Sequence, residues 1–111
     1  MGQEKQFENR IKKYLASVGV YPLGTPRCRM PTPPVGYYEK RHGSMFTKKG
    51  LPDMHICING QSIEAEIKAE NGVVDDLQAF MIEQINDSRG CALVVYPRHF
   101  EQFKNLIEGY L

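Results

Sequence analysis

No stretch of the chain stays apolar for the ~20 residues that a membrane-crossing helix needs. The start lacks the basic, apolar, small-residue order of a signal peptide, and Gln6 stands where a motif opening Met1-Gly2 would need Ser or Thr for myristoylation. Cysteine is scarce: Cys28, Cys57 and Cys91 lie far apart, form no CxxC pair, and are odd in number, which argues against the disulfide framework of a secreted protein. With no membrane signal and no oxidised scaffold, the chain is expected to be intracellular. Negative charge is nearly missing between Tyr21 and Gly50, where Arg27, Arg29, Lys40, Arg41, Lys48 and Lys49 face the lone acid Glu39, six against one or +5. The remainder carries eight basic and twelve acidic residues, so the net +1 conceals a basic segment. Such an excess suits a phosphate backbone, and it equally suits a solvated loop.

A length of 111 residues, 41% of them hydrophobic, allows one domain with a single core. Phe7, Ile11, Tyr14, Leu15 and Val18 fall on one helical stripe, predicting an amphipathic helix over Glu4 to Val18 with Gly19 as its stop. Pro22, Pro26, Pro31, Pro33 and Pro34 forbid a helix or a central strand from Tyr21 to Val35, which reads as a long loop. "VGYYEKR", Val35 to Arg41, has the aromatic content of a strand. A second helix is expected after Asn71-Gly72, capped by Asp75 or Asp76 and carrying Leu77, Met81, Ile82 and Ile85 inward. "CALVVY" before Pro97 reads as a short buried strand, and a last helix carries Phe100, Phe103, Leu106, Ile107 and Tyr110. Helix, strand, hairpin, helix, strand, helix is the order of a small α/β sandwich.

The hairpin is the most informative stretch. "GLPDMHICINGQSIEAEIK", Gly50 to Lys68, alternates polar and apolar residues on both sides of Asn59-Gly60, a strong hairpin signal because both turn residues take positive φ. Counting outward pairs Ile58 with Gln61, Cys57 with Ser62, Ile56 with Ile63, His55 with Glu64, Met54 with Ala65, and Asp53 with Glu66. Met54, Ile56, Ile58, Ile63, Ala65 and Ile67 then share the core face, and Asp53, His55, Cys57, Ser62, Glu64, Glu66 and Lys68 share the other. A solvated face is the ordinary reading of such charges. Opposed carboxylates roughly 4.5–5.5 Å apart at Cβ nevertheless repel, and Mg²⁺ or Mn²⁺, which takes one or two carboxylates plus water and phosphate, would compensate them.

Pro52-Asp53 followed by Glu66-Ile67-Lys68 resembles the PD-(D/E)XK nuclease superfamily. With "GLPDM", "IEAEIKAENG" and "DDLQ", the chain is similar, from Phe7 to about Ile107, to the VRR-NUC family of small phage and bacterial nuclease domains. The resemblance implies one domain over residues 1–111 with a restriction-endonuclease-like αβββαβ(α) core, a mixed sheet flanked by helices. It implies a metal-dependent endonuclease that cuts DNA to leave 5′-phosphate and 3′-hydroxyl ends, acting as a homodimer on four-way (Holliday) junctions. A monomeric flap or fork nuclease and a non-catalytic DNA-binding module on the same fold are the alternatives. The setting implied is bacterial or phage-infected host cytoplasm, with branched DNA as partner and no membrane.

Carried over residue by residue, the resemblance makes Asp53, Glu66, Lys68 and Gln78 catalytic. Asp53, Glu66, the Ile67 backbone carbonyl and Glu8 would hold Mg²⁺ or Mn²⁺. Arg27, Arg29, Lys40, Arg41, Ser44, Lys48 and Lys49, in the basic 21–50 segment, would contact DNA. Lys68, beside two carboxylates, is expected to orient water and stabilise charge more than to act as a strong base. Glu8 has a competing reading as an i,i+4 partner of Lys12, and Gln78 as part of an Asp75-x-x-Gln78 capping box, which could hold together with its catalytic role. His42, His55, His99 and the cysteines lack paired zinc-ligand spacing. Of Tyr37 and Tyr38, one is expected in the core and the other is available for base stacking. Glu64, opposite His55 and outside the motif, is expected to matter least.

Overall fold

In the computed structural model, residues 2–42 and 48–111 are described. The apolar stripe near the N-terminus forms helix α1, Gln3–Ser17, and buries Phe7, Ile11 and Leu15, with Tyr14 and Val18 at the margin of the core. At the hairpin, Asn59 (φ 49°) and Gly60 (φ 83°) take the two consecutive positive φ values of a type I′ turn. Here β3 spans Met54–Ile58 and β4 spans Gln61–Ile67. Their pairing runs from Met54 with Ala65 to Ile58 with Gln61, the register that alternation requires. Met54, Ile56, Ile58, Ile63 and Ala65 are wholly buried and Ile67 is 1% exposed. A slip of one residue would turn that apolar set outward, and each such aliphatic side chain contributes roughly 1.5–3 kcal/mol of burial.

Strand β1, Val20–Pro22, was not expected. It runs parallel to β2, Gly36–Lys40, on the outer edge of the sheet. The prolines exclude a central strand, but at an edge the missing N–H of Pro22 can face away from the ladder. Beyond it the proline-rich segment is tied down. A 3₁₀ turn forms at Arg27–Arg29, the Tyr21 hydroxyl lies 2.7 Å from Thr32 Oγ1, and the Val35 amide donates to the Gly19 carbonyl.

The five strands lie in the order β1-β2-β3-β4-β5, with β2, β3 and β4 antiparallel and β5, Ala92–Val95, parallel to β4. This is an α/β fold with an N-terminal helix, a mixed five-stranded sheet and two further helices. Helix α3, Phe100–Glu108, buries Phe103 and Ile107 and meets α1 through an edge-to-face contact of Phe7 with Phe100, ring centroids 5.6 Å apart. Helix α2, Asp76–Asp87, joins β4 to β5 and buries none of its residues fully. The expected inward stripe of Leu77, Met81, Ile82 and Ile85 is only partly covered, and Leu77 and Phe80 stand exposed. The first turn of the helix reaches the polar face of the hairpin, where Gln78 meets Glu66. No described helix is long and apolar enough to cross a membrane.

Candidate active site

Asp53 immediately precedes β3, and continuing the ladder outward from Met54 and Ala65 brings it opposite Glu66 at the open end of the hairpin. The aspartate is held by backbone: its Oδ2 accepts a hydrogen bond from the Ile67 amide at 3.0 Å. The next amide, Lys68 N–H, points instead to the Val95 carbonyl on β5. Within a strand the N–H and C=O of one residue share an edge, so the Ile67 carbonyl lies on the Asp53 side. Both carboxylates and this carbonyl thus converge at one end of the hairpin.

Glu66 is 2% exposed. Its Oε2 accepts from Gln78 Nε2 at 2.9 Å and lies 3.3 Å from Lys68 Nζ. Among the described residues its buried Oε1 has no hydrogen-bond partner. Burial pushes the Glu66 carboxyl up to about 7 and the Asp53 charge adds to the rise, against the pull of Lys68. Gln78 serves two masters. Its backbone amide donates to the Asp75 carboxylate and its Oε1 accepts from the Asp75 amide, a complete capping box at the start of α2. That pairing turns the NH₂ toward Glu66, so the capping-box reading of Gln78 is borne out and the same side chain reaches the acid. Upstream, Gly50 (φ +85°) packs against α2 so closely that a Cβ there would sit 2.6 Å from Leu77, which ties the approach to Asp53 to the helix bearing Gln78.

The donor set fits a hard divalent cation. An unpartnered buried carboxylate oxygen is costly, and here it belongs to the acid opposite Asp53, with a backbone carbonyl alongside. Among the described residues no three His, Cys, Asp or Glu side chains are grouped so as to hold a metal ion. A site of two carboxylates and a carbonyl suits Mg²⁺ or Mn²⁺, which retain water in their remaining positions.

Glu8 is buried on α1, 3% exposed, and sits among three lysines. Lys5 and Lys12 approach its Oε2 at 2.8 and 2.9 Å, and Lys40 approaches its Oε1 at 2.8 Å. The i,i+4 pair with Lys12 is therefore formed. Burial alone would raise the Glu8 pKa, but hydrogen bonds from Lys40, Lys5 and Lys12 outweigh it and hold the acid at about 2. Lys40 also lies 3.9 Å from Asp53 Oδ1, so one ammonium stands between the first-helix acid and the hairpin acid.

Glu64 is far from idle. Arg41 pairs with both of its oxygens, Nη1 to Oε2 and Nη2 to Oε1 at 3.0 Å, and His55 Nδ1 lies 2.7 Å from Oε1. The same Arg41 donates to the Pro52 carbonyl at 2.8 Å, and its backbone amide donates to the Asp53 carbonyl. A Glu64–Arg41 clamp thus holds the Pro52-Asp53 corner. Register could not reveal it, because a long connection separates β2 from β3. Of the residues expected on DNA, Arg27, Arg29, Lys48 and Lys49 are exposed, Lys40 and Arg41 are engaged by carboxylates, and Ser44 lies outside the described residues. Tyr38 is the tyrosine in the core, while Tyr37 lies on the polar face with its ring 6.0 Å from that of His55.

No protein-family model, curated protein or solved structure matches the chain.

Proposed function

We propose that this protein is a Mg²⁺- or Mn²⁺-dependent DNA endonuclease of the VRR-NUC type, with a restriction-endonuclease-like core, acting as a homodimer on four-way junctions inside the cell. The observation that carries the reading is the environment of Glu66: buried, opposite Asp53, bound on one oxygen by Lys68 and Gln78 and, among the described residues, unpartnered on the other. A purely structural carboxylate gains nothing from such placement, and a phosphate-binding surface without chemistry gains nothing from two opposed acids.

Asp53, Glu66 and the Ile67 carbonyl would hold the cation, which when bound supplies Lewis-acid polarisation of the scissile phosphate and lowers the pKa of a bound water. Lys68, 3.3 Å from Glu66, orients the attacking water and stabilises the extra negative charge that accumulates on the phosphoryl oxygens. Water oxygen bonds to phosphorus, the bond to the 3′ oxygen breaks, and the products are a 5′-phosphate and a 3′-hydroxyl. Gln78 fixes the Glu66 carboxylate, and the Ile67 amide fixes Asp53. Exposed Arg27, Arg29, Lys48 and Lys49 supply affinity for the backbone without reading sequence. The homodimer is supported by the apolar surface of Val73, Leu77 and Phe80, exposed at and before α2, and a two-fold assembly suits a two-fold junction.

Native mass measured together with cleavage of junction, flap and linear duplex tests the assignment. A dimer that cuts junctions at symmetry-related strands supports it; a monomer that cuts flaps would replace the junction substrate, and binding without any cleavage would remove the enzyme.

A further inference from the structure

Lys40 lies in β2 opposite Met54, whose side chain is wholly buried on the core face, so its own stem is directed to the side covered by α1. There its ammonium meets Glu8 Oε1 at 2.8 Å, and at the open end of the sheet it comes to 3.9 Å from Asp53 Oδ1. Glu8 has two further lysines, but both sit on its other oxygen. The oxygen Lys40 holds is shared with neither of them.

We propose that the Lys40 ammonium is a resident cation of the active site, filling the space between Glu8 and Asp53 that a second divalent ion would need, so that the site takes one divalent ion at Asp53 and Glu66. The inference rests on the nuclease reading and adds its metal count and the role of Glu8. Two carboxylates that share a cation are a natural bridge for a hard divalent ion. The Lys40 ammonium, 2.8 Å from one of these carboxylates and 3.9 Å from the other, takes the place of such a cation. It also repels a second divalent ion. Lys40 is only 20% exposed at its side chain, so it is held at this place and not spread into solvent. Glu8 is thereby a positioning residue: it anchors Lys40 and does not itself ligate. Lys5 and Lys12 hold the other Glu8 oxygen, leaving Oε1 to Lys40.

The experiment counts Mn²⁺ bound per chain by isothermal titration and records the low-temperature paramagnetic resonance spectrum at saturation. The wild-type protein is expected to bind one Mn²⁺ with the six-line signal of an isolated ion. Lys40→Met is expected to bind two, with the broadened spectrum of a spin-coupled pair, and Lys40→Met combined with Glu8→Gln to return to one. Two ions in the wild-type protein, or one ion in a Lys40→Met variant with an intact circular-dichroism spectrum, overturns the proposal. Should Lys40→Met not fold, Lys40→Gln takes its place with the same two outcomes, and the wild-type count stands by itself. No Mn²⁺ uptake by the wild-type protein overturns the nuclease reading instead, a distinct failure from a folded variant that stays at one ion.

Discussion

Gln78 and Glu66 are joined by a 2.9 Å hydrogen bond between elements that follow one another in the chain, the end of β4 and the first turn of α2. Because the Gln78 carbonyl oxygen is committed to the capping box, the helix start aligns the carboxylate. Gln78→Ala is therefore expected to lower cleavage about 10–100-fold, the usual cost of losing a group that orients a metal ligand. Stability should change little, since Asp75 still caps the Gln78 amide. Asp75→Ala should do the reverse in part, costing about 1 kcal/mol of stability and freeing the Gln78 side chain. Chemical denaturation and single-turnover rates on the two variants separate the effects.

The clamp of Arg41 on Glu64 makes Glu64→Ala a consequential change, contrary to what position outside the motif suggests. Removing it leaves a partly buried guanidinium without its carboxylate and loosens the Pro52-Asp53 corner. A loss of about 1–3 kcal/mol is expected, with a parallel fall in cleavage rate; Arg41→Ala should match it, and the double variant should lose little more than either. Urea unfolding of the three variants checks this cycle, and additive losses would mean that the pair is not a unit.

The two buried acids give opposite pH dependences in metal-free protein. Glu66 titrates near 7 in the fold against 4.5 in the unfolded chain. It contributes no penalty below 4.5. Between 4.5 and 7 the folded protein holds a proton that the unfolded chain has released, so stability falls as pH rises through this window, by on the order of 3 kcal/mol. Glu66→Gln should flatten that fall. Glu8, held at about 2, stabilises above 4.5, and its contribution is lost as pH drops from 4.5 toward 2. Unfolding in chelator across pH 3 to 8 reads both, and Mn²⁺ affinity should weaken below about 7, where the cation must displace the Glu66 proton.

The exposed cations should behave as backbone contacts. Neutralising one of Arg27, Arg29, Lys48 or Lys49 is expected to weaken binding evenly across DNA sequences and to reduce the salt slope by about one. Fluorescence anisotropy over a range of salt concentrations measures it; a variant that alters sequence preference with an unchanged slope would contradict the assignment.

The hairpin and its carboxylate-bearing end were legible because a two-residue turn sets register by counting, and alternation then sorts every side chain to a face. That was enough to bring Asp53, Glu66 and Lys68 together. Long-range placement was not legible. Nothing local says that Lys40 lies opposite Met54 or that Arg41 reaches Glu64, because the β2 to β3 connection is too long to define a register. β1 went unseen for a different reason: prolines report the absence of a backbone donor, which an edge strand tolerates. The apolar period of α2 predicted its helix correctly, but periodicity within one element does not say how much of its stripe the rest of the fold covers.

The central claim is tested most directly by Mg²⁺-dependent cleavage of a labelled four-way junction by the wild-type protein, Asp53→Asn and Lys68→Ala, with binding measured in parallel. The account predicts cutting by the wild-type protein, and loss of cutting with largely preserved binding in both variants. Undiminished cutting by either variant would contradict it.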